Sequence, residues 1–318
     1  MQSFVVGESN RIDKVLATHL ECSRNQVEKL IKGGFVKVND SVVSKTSFKV
    51  ALDDIISYEF QDAPQKEAVS VDFDIEVLYE DEYLLVINKP SGVVVHPAPS
   101  VSGATVVDWL IKRGVRLSTI SGEERHGIVH RIDKETTGAL VIAKDNKTHE
   151  ALSKQLQDKT MGRYYLALID CPLKDDIVVD KPIARNPKNR LKMDVVEGGK
   201  SAKSAFVKLL NSPKDIELIS AKLYTGRTHQ IRVHLNTLSR HILGDDLYGY
   251  KHKKAKIQRV FLHAYMLYLV HPATNEMLEI VAPLFDDMQE FCNRYFDEDE
   301  LRDKIDATNI KNRFSQIS

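Results

Sequence analysis

Hydrophobic and polar positions divide the chain into two parts with different rhythms. Over residues 11 to 20, RIDKVLATHL, the apolar side chains Ile12, Val15, Leu16 and Leu20 recur at helical spacing and share one face. SRNQVEKLIKGG carries a second stripe, Val27, Leu30 and Ile31, between a capping Ser23 with Gln26 three residues on and a terminating Gly33-Gly34. FVKVNDSVV then alternates as strand, Asn39-Asp40 turn and strand. These elements predict a small helix–hairpin module over residues 1–60, with Arg11, Arg24, Lys29, Lys32 and Lys37 as exposed cations. Residues 61–70, QDAPQKEAVS, have no period and read as a linker.

From residue 71 strand patterns dominate. FDIEVLYEDEYLLVINKP gives two strands across an acidic turn, and GALVIAK a short buried one. NKTHEALSKQLQDKT is helical, with Asp145 or Asn146 as cap, and RYYLALI returns to strand. SAFVKLL, IELISAKL and FLHAYMLYLV continue the series. Strands arrive in groups with few helices between them, which predicts an α+β domain over 71–295 with a largely antiparallel sheet. The acidic, then polar, segment 296–318 reads as a tail, a helix followed by a frayed end.

Composition changes this picture little. The content of 42% hydrophobic and 28% charged residues is that of an ordinary globular protein. No apolar run approaches the roughly 18 residues of a membrane span, and no secretory signal opens the chain. Cys22, Cys171 and Cys292 are odd in number and widely spaced, so neither a disulfide framework nor a zinc site is expected. The expectation is a cytoplasmic protein, and a monomer, since no coiled-coil pattern or apolar surface stripe is evident.

Charge is more informative. The net is zero, but residues 51–100 carry 2 Lys/Arg against 11 Asp/Glu, a net of −9. Residues 181–260 carry 18 against 6, a net of +12, and residues 276–318 carry 5 against 11, a net of −6. A basic segment between acidic ones can present a local positive surface to a polyanion. The plainer reading is two solvated faces of opposite sign.

Three patches carry chemistry. GIVHRIDKETTGALVIAK sets His130, Arg131, Asp133, Lys134 and Glu135 between two apolar runs. A polar turn would need only Asp or Gly. A carboxylate at the mouth of a sheet, beside guanidinium groups, stays charged and can act as a nucleophile. His126 and His130, four apart on extended chain, would lie roughly 13 Å apart, too far to share a zinc ion. The second patch, LYTGRTHQIRVH, gathers Arg227, Thr228, His229, Gln230, Arg232 and His234. Read as a strand, it sets Ile231, Val233 and Leu235 opposite Arg232, and Asp133 is the candidate anion for that arginine. The third is Tyr164-Tyr165: in a strand one ring faces away from the core and could stack on a base.

These residues carry a resemblance. HRIDKETTG resembles the HRLDxxTSG signature of the RluA-type pseudouridine synthases, GRYYLAL their Arg/Lys-x-Tyr-x-Ala motif, and LYTGRTHQIRVH with HILGDDLYG their TGRTHQIRVH…HPLxGDxxYG block. VINKPSGVVVHPAPS and FLHAYMLYLVHPATNEM fit the flanking segments, and the N-terminal module resembles an S4 RNA-binding domain. The match spans residues 10 to 285. Ile132, Thr137, His126 and Arg240 depart mildly from the pattern.

The resemblance implies isomerisation of uridine to pseudouridine in RNA, most simply large-subunit ribosomal RNA. The alternatives are a synthase acting on transfer RNA and a non-catalytic RNA binder. It implies Asp133 as the group acting at the sugar, by attack on C1′ or as a base at C2′, paired with Arg232. Tyr165 would stack on the uracil and help remove the C5 proton, and Arg131 would fill the gap left by the flipped uridine. His130, Arg227, Thr228, His229 and Gln230, with Arg24, Lys29 and Lys32 of the first module, are the RNA-binding candidates. The reaction is redox neutral, so no cofactor and no metal is expected. The enzymatic rival, a retaining glycoside hydrolase, needs two carboxylates about 5 Å apart, and Glu135 is the only other acid in the motif.

Overall fold

The computed structural model describes residues 2–20, 24–59, 70–98, 101–118, 126–251 and 257–317, without the side chains of residues 24–26 and 29. The chain divides into two compact units, Met1–Val69 and Ser70–Ser318. The linker expected over 61–70 lies, but for Ser70, outside the described residues, as does the Ser23 cap.

In the first unit, β1 (Gln2–Val5) and β2 (Asn10–Arg11) precede α1 (Ile12–His19) and α2 (Arg24–Lys32). β3 (Val36–Val38), β4 (Ser41–Val42), β5 (Lys49–Val50) and β6 (Ile55–Tyr58) follow. The helices bury the stripes their spacing calls for: Ile12, Leu16, Val27 and Ile31 are fully buried together with Val36 and Ile56. Asn39 and Asp40 turn the β3–β4 hairpin with φ of 48° and 63°, the left-handed pair a tight hairpin requires.

The second unit is built on one sheet. Its strands are β7 (Glu76–Glu80), β8 (Leu84–Lys89), β9 (Thr137–Ala143), β10 (Gly162–Asp170), β11 (Ile177–Asp180), β14 (Lys203–Asn211), β15 (Ile216–Leu223), β16 (Leu262–Val270) and β17 (Met277–Val281). The short pair β12 (Ile183–Arg185) and β13 (Met193–Val195) stands apart. The sheet order is β11-β14-β15-β10-β16-β9-β8-β7, with β17 also on β16. Every pairing is antiparallel except β16 with β9. The fold is therefore α+β with a largely antiparallel sheet. α3 (Val106–Lys112) and α4 (Asn146–Asp158) flank it, which explains why β8 and β9 are buried throughout and mostly apolar on both faces. Leu85 and Ile87 pack in one core with Trp109, and Leu84 and Val86 in another with Leu152. Asp145 caps α4 through Thr148 N, as its position suggests.

The parallel contact has two residue pairs, His263 with Thr137 and Ala264 with Gly138. Gly138 sits at φ +107°, and a Cβ there would meet Ala264 O at 2.3 Å. Only glycine lets the end of the Asp133 loop cross β16 this closely.

Two expectations need correction. LYTGRTHQIRVH is not a strand: its second half is α5 (Gln230–Thr237). Over six residues an alternating pattern also satisfies helical spacing, here Ile231 with Leu235. The end of the chain does not fray: α6 (Asp286–Tyr295), α7 (Glu298–Lys304) and α8 (Ala307–Ser315) run through it. Leu301, Ile310 and Phe314 are buried in the main core, and the Phe314 ring lies 5.2 Å from that of Tyr164. Polar residues dominate this segment because only one residue in three or four of an amphipathic helix faces the core.

Candidate active site

The loop over residues 130–136 is coil, entered from a turn rather than from a strand, with Ile128 bridging Ile142 of β9. Ile132 and Thr136 are buried, which leaves Asp133 half-buried at a cavity. Asp133 O accepts from Thr136 N at 3.1 Å. The NKPSG turn buttresses the loop from beneath. Lys89, wholly buried, donates to Pro90 O at 2.8 Å, Val93 O at 2.9 Å and Lys134 O at 3.0 Å. Burial pushes its pKa down to about 7, against the negative charges of Glu135 and Asp133, which favour the ammonium. Ser91 Oγ donates to Glu135 Oε2 at 3.1 Å, so Glu135 is engaged away from Asp133.

The second wall is the turn before α5. Gln230 holds it from within. Its Oε1 accepts from Thr225 Oγ1 (2.7 Å) and Arg227 N (2.9 Å), and its Nε2 donates to Lys203 O and Ser204 Oγ. His229 takes the left-handed conformation at the helix start, φ 55°. That turn aims Arg232, one helical step on, at Asp133. Nη1 lies 3.5 Å from Asp133 Oδ2, and His229 Nε2 lies 4.0 Å from the same oxygen.

The strongest bonds of Arg232 go elsewhere. Nε and Nη2 donate to Asp245 at 2.7 and 2.8 Å, a bidentate pair with an aspartate only 1% exposed. The guanidinium also lies 4.9 Å over the ring of Tyr248, whose hydroxyl meets His229 Nδ1 at 2.9 Å. Burial alone would lower the pKa of Arg232, but the hydrogen bonds and charge of Asp245 reverse this and raise it. Burial dominates at His229 and lowers its pKa, leaving a neutral ring beside Asp133.

Tyr165, 3% exposed, is the ring of the tyrosine pair that faces the cavity, while Tyr164 turns to Tyr268 and Phe314. A bulge aids this: Tyr165 pairs with Ala264 and Tyr164 with Met266, so Tyr265 is extra. Burial raises the pKa of the Tyr165 phenol and keeps it protonated at neutral pH.

Asp133, Tyr165, Arg232, Arg131, Arg227, Thr228, His229 and Gln230 thus converge on one cavity of ≈ 60 Å³. Ligand clefts measure about 300 Å³ or more, so this cavity must widen to admit a nucleotide. Arg131 and Thr228 are exposed at its rim, and Arg227 donates to Ser201 O at 2.9 Å. Two of these candidates are corrected in role. His130 is buried against Arg163, whose Nη1 donates to its Nδ1 at 2.7 Å. Burial depresses its pKa well below 6.5, so it is a neutral support, not a surface contact. Gln230 spends its polar atoms inside the turn. In the first unit Lys32 is exposed and pairs with Glu28 at 2.5 Å, while the side chains of Arg24 and Lys29 lie outside the described residues.

Sequence reasoning missed Asp245, Tyr248, Lys89 and Arg163. Each lies in a segment that carries the resemblance, and that was the one signal, since their immediate neighbours are mostly glycine, proline or polar residues. Among the described residues no three metal-ligating side chains converge, and no helix is long and apolar enough to cross a membrane. The two-carboxylate alternative finds no support among the described residues: Asp133 is the one acid that lines the cavity, Glu135 bonds Ser91 and Asp245 bonds Arg232.

Residues 83–237 match the family of RNA pseudouridylate synthases, and residues 10–56 match the S4 domain. The chain is 45% identical to an uncharacterized RNA pseudouridine synthase of Helicobacter pylori strain J99, over 96% of this chain and 95% of that one. It is 36% identical to the ribosomal large subunit pseudouridine synthase D of Zymomonas mobilis, over 88% and 92%. Among solved structures, human RNA pseudouridylate synthase domain containing 4 superposes with a TM-score of 0.52 at 26% identity, covering 69% of this chain and 92% of that one.

Proposed function

The chain belongs to the RluA-type RNA pseudouridine synthases, isomerases that convert uridine to pseudouridine in RNA, and from that premise we propose large-subunit ribosomal RNA as its substrate and Asp133, Arg232 and Tyr165 as the groups that carry the reaction. The reaction breaks N1–C1′, turns the uracil and joins C5 to C1′. N1 gains a proton and C5 loses one, so atoms and electrons balance without a co-reactant. Asp133 starts it, by attack on C1′ or by taking a proton from C2′. Arg232, locked by Asp245, holds the carboxylate oriented in either route. The ring of Tyr165 forms the face on which the uracil stacks. Its phenol is protonated at rest, so it takes the C5 proton only by passing its own on.

The observation that supports this reading most is the meeting of Asp133 Oδ2 and Arg232 Nη1 at 3.5 Å in a cavity that Tyr165 also lines. A uridine in folded RNA reaches that cavity only by flipping out, at a cost of a few kcal/mol. Arg131 at the rim is placed to fill the gap, and phosphate contacts by the basic segment 181–260 and the S4 domain offset the cost. Ribosomal RNA as substrate is suggested by the name of the Zymomonas mobilis relative. The protein acts as a monomer in the cytoplasm, which light scattering and fractionation would check. In the direct test, ribosomal and transfer RNA from a strain lacking this gene are incubated with the protein and mapped for pseudouridine. Conversion in large-subunit RNA is expected. Conversion confined to transfer RNA would overturn the substrate, and conversion in neither would overturn the reading.

A further inference from the structure

The reaction cavity shares a wall with a second, larger cleft. Its volume is ≈ 450 Å³, within the range of about 300–1,000 Å³ typical of ligand clefts. Arg131, Arg163 and Gly226 border both. Lys159 and Lys222 add to its positive charge, Tyr224 and Tyr268 are its aromatic rings, and no acidic residue borders it among the described residues. Tyr224 is half-buried, and Lys203 and Lys222 stand 5.2 and 5.4 Å from its ring. A cationic cleft with an aromatic floor is the arrangement that binds single-stranded nucleic acid, through backbone charge and base stacking.

Arg163 gives a second, independent sign. It is 8% exposed, yet it meets no carboxylate within 4.0 Å among the described residues. Nη1 contacts the neutral ring of His130, and Nε has no hydrogen-bond partner among the described residues. A buried guanidinium without an anion is costly unless an anion arrives. Gly226 leaves the way open, since even a Cβ there would lie 3.7 Å from Arg163 Nη2.

We propose that this cleft is a subsite for the nucleotide next to the target uridine in the RNA chain, with its phosphodiester on Arg163 and its base against Tyr224. The proposal rests on the pseudouridine synthase reading of the adjoining cavity. Sequence context around the uridine would then be read partly by a ring outside the reaction centre.

The test uses a short RNA spanning a uridine that the wild type converts, made intact, with an abasic nucleotide on the 5′ or 3′ side, or with a methylphosphonate there. The abasic RNA is expected to lower wild-type kcat/KM about ten-fold on one side, the size of one lost base–aromatic stack. Tyr224→Leu should lose about the same on intact RNA and nothing more on that abasic RNA. Arg163→Lys, checked by thermal melting to be folded, should respond less than wild type to the methylphosphonate. Equal losses by Tyr224→Leu on intact and abasic RNA, or no loss on either, would overturn the subsite. A wild type that converts no uridine would overturn the functional reading itself, so the two failures are distinct.

Discussion

Asp245 holds the arginine that holds the nucleophile, and Asp245→Asn tests that chain of dependence. The aspartate is 1% exposed and accepts two charged hydrogen bonds, at 2.7 and 2.8 Å. Each such bond contributes about 1.5–3 kcal/mol, and breaking one side of a buried ion pair costs about 3–5 kcal/mol. The asparagine keeps one acceptor, and Asp133 remains 3.5 Å from the guanidinium, so the loss sits at the lower end, about 3 kcal/mol. At about 2–4 °C per kcal/mol, the melting transition of the catalytic unit should fall by about 6–12 °C. Released from Asp245, Arg232 swings toward Asp133 and closes on it. A displacement of the order of 1 Å lowers turnover about a hundred-fold. Single-turnover pseudouridine formation at a temperature where the variant is folded reads that term apart from stability. The double variant Asp245→Asn with Arg232→Met removes the stranded charge. It should recover most of the melting temperature and none of the activity. A single variant that melts within about 2 °C of wild type and turns over normally would refute the reasoning.

Further outcomes are expected. Tyr165→Phe keeps the stacking face and loses the hydroxyl, so RNA binding should persist in a filter assay while turnover drops; unchanged turnover would leave the ring alone with a role. Gly138→Ala forces a Cβ to 2.3 Å from Ala264 O at φ +107°, and should cost several kcal/mol in urea unfolding, whereas Gly226→Ala, with its nearest atom at 3.7 Å, should be mild. Buried His263 bonds Thr137 Oγ1 at 2.8 Å and Ala282 O at 3.1 Å, and burial lowers its pKa to about 4. A lowered folded value means stability that is complete above the unfolded pKa of about 6.5 and is lost as pH falls toward 4, about 3 kcal/mol in all. Urea titrations at pH 7 and 4.5 should show that loss, and His263→Gln should reduce it; an unchanged difference would assign the pH dependence elsewhere.

How much of this was legible in the sequence depended on how local the cause was. The α1 and α2 stripes, the Asn39-Asp40 turn and the Asp145 cap follow from neighbours within a few residues, and they stand where the spacing set them. TGRTHQIRVH was misread because its core contacts, Ile231 and Leu235 inward and Gln230 onto Ser204, come from strands remote in the chain. Both faces of α5 are therefore occupied, and neither a clean helical stripe nor a clean alternation survives. Arg232 and Tyr165 stood out as polar residues set among apolar ones, and Asp133 as part of a charged cluster between two apolar runs. The pairing of Asp133 with Arg232 was anticipated, but the geometry that aims the three at one cavity was not legible, since it depends on the β10–β16 bulge and on the left-handed turn at His229. Asp245 was invisible as a partner for the same reason. It lies only 13 residues beyond Arg232, but the fold of the intervening turn decides that they meet.

The most direct measurement is the single-turnover rate of Asp133→Asn on the RNA that the wild type modifies, with RNA affinity measured in parallel. The substitution keeps size and shape and removes the charge that acts on the sugar. The expected result is affinity within a few-fold of wild type and no detectable pseudouridine. Conversion at the wild-type rate would contradict the role of Asp133 outright.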